Sequence, residues 1–214
     1  MTCPSRLHYL LGDEHDKIEY PSDVYLDFIT PAELFNVIVK HANIQIGGLA
    51  NKVIWDMFAG IGTDSLRLAT VAGKVIATEL NVDTYKCLLK NVKVNFNGTS
   101  APGIIECYNT DATEKQFLNG APDVIYFDPP WGDDFKSGQR FSFESVKLSN
   151  GKTAMDVYLT LREKYKETYF IIKAPYTCDM ESIIPEHELL CILSFSRQKL
   201  KYYFLKPTLS LLSL

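Results

Sequence analysis

Apolar residues along this chain fall into short runs that alternate with stretches of helical spacing. Runs at 52–56, 74–79, 103–108, 123–127 and 168–173 are brief, rich in Val, Ile and aromatic residues, and bounded by Gly, Pro, Asn or Asp. They predict five buried strands. Between them, 65–71, 82–94 and 155–164 carry apolar residues three and four apart and predict helices, and 113–118 is read as a further short helix. Segments 188–196 and 200–205 predict a closing strand pair. Alternation of this kind implies an α/β fold, with a mostly parallel seven-stranded sheet, helices on both faces and an antiparallel edge strand.

Ahead of the first strand, Thr30-Pro31-Ala32-Glu33 predicts a helix start, with Thr30 as N-cap and Pro31 in the first helical position. Leu34, Phe35, Ile38 and Val39 follow at helical spacing, and Gly47-Gly48 closes the unit. Residues 1–48 are therefore expected to form an N-terminal arm and helix, a candidate lid over the active site. Residues 49–214 form the main domain.

Charge changes the picture only by what it disfavours. The 22 basic and 26 acidic residues give a formal net charge of −4. Proteins that grip long nucleic acids through phosphates carry a basic excess, so a small or terminal nucleotide target is favoured. Five scattered cysteines form no C-x-x-C pair, and four histidines lack ligand spacing, so no metal is expected. No run is long and apolar enough for a membrane span, and acids stand too early for a signal peptide. The expected location is intracellular, in cytoplasm or nucleus.

In open parallel sheets, ligands bind beyond the carboxyl ends of the strands. Four carboxylates stand there: Asp56, Glu79, Asp111 and Asp128. Clustered like charges repel, so a ligand rich in donors or positive charge is called for. Asp56 opens Asp56-Met57-Phe58-Ala59-Gly60-Ile61-Gly62, whose glycines permit a tight turn and close approach of a ligand. Glu79 lies 19 residues beyond Gly60, where an acid holds ribose hydroxyls, and Asp111 is placed to accept from an adenine amine. The loop has no lysine to cradle phosphates. A nucleoside with a positive, phosphate-free tail, S-adenosylmethionine, fits better than a dinucleotide of the NAD type.

Asp128-Pro129-Pro130-Trp131 ends the fourth apolar run. Two prolines fix φ and remove two backbone donors, so the carbonyls there serve as acceptors beside the carboxylate. Trp131 offers a broad ring. A planar base carrying an amino group is the natural guest.

Together these segments resemble the exocyclic-amine methyltransferases, whose acceptor motif is [DNS]-P-P-[YFW]. The cofactor motif precedes the acceptor motif, unlike the permuted adenine methyltransferases of messenger RNA. Within that group the chain is most similar to the trimethylguanosine synthases over roughly residues 25–205. The likeness rests on Thr30-Pro31-Ala32-Glu33, Asp56-x-Phe58-x-Gly60-x-Gly62, Pro129-Pro130-Trp131-Gly132 and Lys199-Leu200-Lys201. Asp128 replaces that family's serine, Asp133 its second glycine, and Tyr176 a basic residue of the fifth-strand loop.

The resemblance implies a Rossmann-like methyltransferase fold and methyl transfer from S-adenosylmethionine to N2 of 7-methylguanosine in an RNA 5′ cap. It implies a cap nucleotide or capped RNA as partner. A monomer is expected. Expected cofactor residues are Thr30, Asp56, Phe58, Ala59, Gly60, Gly62, Thr63, Asp64, Glu79, Leu80, Asp111 and Ala112. Asp128, Pro129, Pro130 and Trp131 are expected at the reacting amine, with Trp131 stacked on the cap base. Lys136, Arg140, Lys173, Arg197, Lys199 and Lys201 are expected near its phosphates. Two other readings stay open: amine methylation of guanine or adenine within rRNA, tRNA or DNA, and a non-catalytic cap-binding domain. A protein-glutamine methyltransferase, which uses N-P-P-Y, fits the aspartate and tryptophan less well.

Overall fold

A computed structural model describes residues 9–11, 17–96, 103–114, 120–132, 135 and 138–208. The order of elements is α1 (Ala32–Ile46), β1 (Val53–Asp56), α2 (Thr63–Ala69), β2 (Lys74–Glu79), α3 (Val82–Phe96) and β3 (Ile104–Asn109). There follow β4 (Val124–Phe127), α4 (Ala154–Lys164), β5 (Tyr169–Pro175), β6 (Leu189–Phe195) and β7 (Leu200–Leu205). One seven-stranded sheet has the order β3-β2-β1-β4-β5-β7-β6. The β1–β2, β2–β3 and β4–β5 pairs are parallel, and β7 runs antiparallel to both β5 and β6. Among the described residues, no helix is long and apolar enough to cross a membrane.

The expected strands all form, with ends shifted by a residue or two. Two expectations need correction. Helix α1 begins at Ala32 with Pro31, not Thr30, in the N-cap position and with no side-chain cap. Thr30 is fully buried, and its hydroxyl donates to Asp64 Oδ2 (3.2 Å) instead. The helix expected at 113–118 is, where described, a single 3-10 turn, Ala112–Glu114, and 115–119 lie outside the described residues. Elsewhere the local chemistry holds. Helix α1 stops at Gly47 in the left-handed region (φ 75°). Helix α4 starts with a capping box, Thr153 accepting from the Asp156 amide and Asp156 from the Thr153 amide.

The chain divides into two compact units, one up to Ala112 and one from Thr113 on. In the first, Leu10, Leu11, Leu26 and Ile29 of the N-terminal segment bury themselves with Ile61 of the glycine loop. Arg67 on α2 ties that segment down by donating to the carbonyls of Thr30 (2.6 Å) and Leu10 (2.7 Å). Asn91 on α3, fully buried, donates to the carbonyls of Glu19 and Ile61 (2.8 Å each) and accepts from the Glu19 amide (2.7 Å). In the second unit, Arg162 on α4 is buried. It pairs with Glu188 and donates to the Lys206 carbonyl, so it fastens the helix to the two ends of the β6–β7 hairpin.

Candidate active site

In the first unit, the strand β1 ends on Asp56, which is 1 % exposed. A buried carboxylate is costly unless its oxygens are satisfied. The Ser65 hydroxyl in the first turn of α2 donates to Asp56 Oδ2 at 2.5 Å. Asp56 therefore staples the strand end to the helix and sets the span of the loop between them. The loop turns through Gly60 (φ 55°) and Gly62 (φ 89°). Their reasons differ. A Cβ on Gly62 would meet Leu88 Cδ1 at 2.4 Å, so that glycine lets α3 pack close. A Cβ on Gly60 would meet nothing within 4 Å, so the backbone there stands open to an incoming ligand.

Glu79 closes β2 and reaches the same loop. Its Oε2 accepts from the Gly60 amide (3.0 Å) and its Oε1 from the Asn81 amide (2.7 Å). Burial pushes the Glu79 carboxyl above its ordinary range, and the Asn81, Gly60 and Leu80 amides offset part of that rise. Each carboxylate oxygen has a second lone pair, so the group can still accept from ligand hydroxyls. Leu80 beside it is 54 % exposed, an apolar surface where solvation alone would place a polar residue. Phe58 and Asp111 are half-buried, and Ala59, Thr63, Asp64 and Ala112 are buried. An open glycine backbone, an acid at the next strand end and an exposed apolar neighbour fit the ribose and adenine of a nucleoside.

In the second unit, β4 delivers Asp128 one residue beyond Phe127. Parallel pairing sets Phe127 against Ile172 of β5, so the next residues out are Asp128 and Lys173. Lys173 is 2 % exposed, and its Nζ lies 2.6 Å from Asp128 Oδ2. The same ammonium lies 5.5 Å from the centroid of the Trp131 ring. Trp131 itself is 6 % exposed and is not an open platform. Phe135 meets it edge-on, centroids 5.4 Å apart at 75°. The buried indole Nε1 has no hydrogen-bond partner among the described residues. Pro129 is buried and Pro130 exposed.

The basic residues expected near phosphates are differently placed. Lys173 is committed to Asp128. Arg140 pairs with Asp179. Lys201 donates to Glu181 Oε1 (3.0 Å) and to the Cys178 carbonyl (3.1 Å). Arg197 and Lys199 are exposed in the β6–β7 turn, where the Lys199 carbonyl accepts from the Tyr176 amide (2.9 Å). That turn thus carries Lys199 to the fifth-strand loop position that Tyr176 occupies. Lys136 lies outside the described residues. Ser65 closes the glycine motif, but its bond to Asp56, like the contacts of half-buried Arg67 and buried Asn91, has no signature in the sequence, since polar residues that join distant segments have no periodicity of their own. The Asp128–Lys173 pair was hidden by 45 intervening residues.

Among the described residues, no group of three or more His, Cys, Asp or Glu side chains gathers to hold a metal.

Comparison with known proteins adds a family and a fold. The family of RNA cap guanine-N2 methyltransferases matches residues 51–205. Protein L320 of Acanthamoeba polyphaga mimivirus is 30 % identical over 159 residues, covering 72 % of this chain and 58 % of the relative. A tRNA (guanine(37)-N(1))-methyltransferase of Trichomonas vaginalis is 40 % identical over 94 residues, 42 % of this chain and 24 % of the relative. The chain thus spans little more than half of the first relative and a quarter of the second. An RNA methyltransferase from Salinibacter ruber, solved in complex with S-adenosyl-L-homocysteine, superposes with a TM-score of 0.53 at 15 % identity. The match covers 85 % of this chain and 95 % of that one, and it shows the shared fold.

Proposed function

The chain belongs to the RNA cap guanine-N2 methyltransferase family, and we propose that it methylates the exocyclic N2 of 7-methylguanine in an RNA 5′ cap. S-adenosylmethionine is the methyl donor. The observation that carries this reading is the candidate acceptor cluster after β4, an acid, two prolines and a buried indole whose N–H has no partner among the described residues.

When bound, the donor supplies an electrophilic methyl on a sulfonium that departs as a neutral thioether. The protein's part is orientation. The Glu79 carboxylate, fixed by the Gly60 and Asn81 amides, would accept from the ribose hydroxyls, and Leu80 would pack on the adenine. Asp111 would accept from the adenine amine, and Thr30, fully buried, would act only through its bond to Asp64.

At the acceptor, Asp128 and the carbonyls beside it accept from the N2–H bonds. Those bonds would hold the nitrogen pyramidal and free its lone pair for transfer. Holding reactants at near-attack distance is worth at most about 7–11 kcal/mol. N2 loses a proton as it gains the methyl, so no strong base is needed, and Asp128 or water receives that proton. The purine stacks on Trp131 by displacing the Phe135 ring edge, and an acceptor on the nucleotide satisfies the indole N–H. Lys199 and Arg197 receive the phosphates.

A guanine within a longer RNA is the second reading, favoured by the Trichomonas relative. Mass analysis after incubation with S-adenosylmethionine decides between them, with 7-methylguanosine diphosphate, GDP and uncapped RNA in parallel. One or two added methyl groups on the first compound support the cap reading. Methylation of uncapped RNA alone overturns it.

A further inference from the structure

We propose that Lys173 is a specificity-determining residue. Its ammonium, held between the Asp128 carboxylate and the Trp131 ring, sets how strongly the acceptor site prefers a positively charged purine to a neutral one. The inference rests on reading Asp128-Pro129-Pro130-Trp131 as the acceptor motif.

A lysine buried within an interior strand is costly to place. Lys173 lies between Ile172 and Ala174, both fully buried, and opposite Tyr202, also fully buried. Desolvating an ammonium costs several kcal/mol unless a partner compensates. The partner is Asp128, at 2.6 Å. Replacing such a pair by apolar residues is often neutral or stabilising for a fold. Stability alone therefore does not account for an ammonium beside the residue that contacts the reacting amine.

Its position has two electrostatic consequences. First, the carboxylate's negative field is largely cancelled at the guest, because its counter-charge is in contact. Second, the indole already holds a cation 5.5 Å from its centroid, within the range where ring and charge attract. A 7-methylguanine ring is cationic, and it would meet a site whose two attractive features are already engaged. Guanine is neutral and is indifferent to both. Lys173 therefore moderates charge selection, and recognition of the 7-methyl group falls more on contact and shape. The ion pair also holds the carboxylate in one orientation, which favours transfer to either base alike.

The test is the ratio of kcat/KM for 7-methylguanosine diphosphate to that for GDP, measured on the full chain. Lys173→Met should raise this ratio roughly tenfold, by freeing the indole and exposing the carboxylate. Asp128→Asn should lower it by a similar factor, because it removes the negative charge beside the ammonium, while kcat falls on both nucleotides. A partly misfolded variant loses active sites for both nucleotides equally and leaves the ratio unchanged. Shifts of opposite sign support the proposal. Ratios within about twofold of the wild type for both variants, or shifts of the same sign, overturn it and leave the acceptor assignment standing. A wild-type protein that methylates neither nucleotide removes the assignment and the inference together.

Discussion

The two units of the chain use their carboxylates in opposite ways, the first as a candidate cofactor half and the second as a candidate acceptor half. In the cofactor half, Asp56 is bonded to the Ser65 hydroxyl and Glu79 to the backbone amides of Gly60 and Asn81. Those acids shape a loop, and the loop's open backbone makes the site. In the acceptor half, the Asp128 carboxylate is bonded to an ammonium that also faces the tryptophan ring. There, on the proposed reading, the charges tune a guest. Damage to the first half should appear in folding and donor affinity. Damage to the second should appear in turnover, with the donor still bound.

The sharpest separation comes from Trp131→Ala. It removes the stacking ring and should reduce kcat/KM on the capped nucleotide more than 100-fold, about 3 kcal/mol or more of transition-state binding. The dissociation constant for S-adenosylmethionine, read by calorimetry, should stay within a few-fold. A parallel collapse of donor binding would erase the contrast between the halves. Trp131→Phe, which retains a ring but lacks the N–H donor, should fall between wild type and alanine.

The next largest effect lies in the other half. Ser65→Ala leaves the buried Asp56 carboxylate without its hydroxyl donor. Losing a hydrogen bond to a charged group costs about 1.5–3 kcal/mol. The midpoint of chemical denaturation should drop accordingly, and donor affinity should drop with it. Full stability in this variant would show that Asp56 does not hold the loop.

Glu79 gives a pH signature. Its carboxyl is raised by burial, with the Asn81, Gly60 and Leu80 amides opposing. The donor's ribose hydroxyls need its ionised form as acceptor. As pH falls, Glu79 protonates before an ordinary glutamate does, so donor affinity should weaken at a pH above the usual carboxylate range. Without ligand the sign is reversed. The folded state binds that proton more readily than the unfolded chain does, so Glu79's contribution to stability declines as pH rises through its raised pKa. Glu79→Gln should lose about tenfold in donor affinity and abolish the acid limb. A limb that survives the substitution belongs to another group.

Most of this architecture was legible because it is written in periodicity. Apolar runs and helical spacing located every strand, and strand ends located Asp56, Glu79 and Asp128. What escaped depends on pairing between distant segments. Lys173 could be read as a strand-end cation suited to phosphate, but its partner follows only from the Phe127–Ile172 register. Thr30 has the residue type of an N-cap, yet its hydroxyl is taken by Asp64 across 34 residues. Trp131 was expected to offer an open ring and is buried instead, since its contact with Phe135 is made through a loop without a pattern. Local rules predict elements well, whereas side chains that close networks between elements are chosen by tertiary geometry.

The smallest effect tests the outer rim of the acceptor half. Lys199 sits in the β6–β7 turn with φ 55°, in the left-handed region. A residue with a Cβ pays about 1 kcal/mol there, and glycine does not. Lys199→Gly should therefore leave the fold as stable as before or slightly more so. If the side chain receives cap phosphates, as its place beside the Tyr176 amide suggests, KM for a capped dinucleotide should rise a few-fold with kcat unchanged. An exposed cation contributes about 1 kcal/mol or less, so the rise should fade as salt is added. The same KM as wild type at low salt would assign Lys199 to the turn alone and leave Arg197 as the cation for the phosphates.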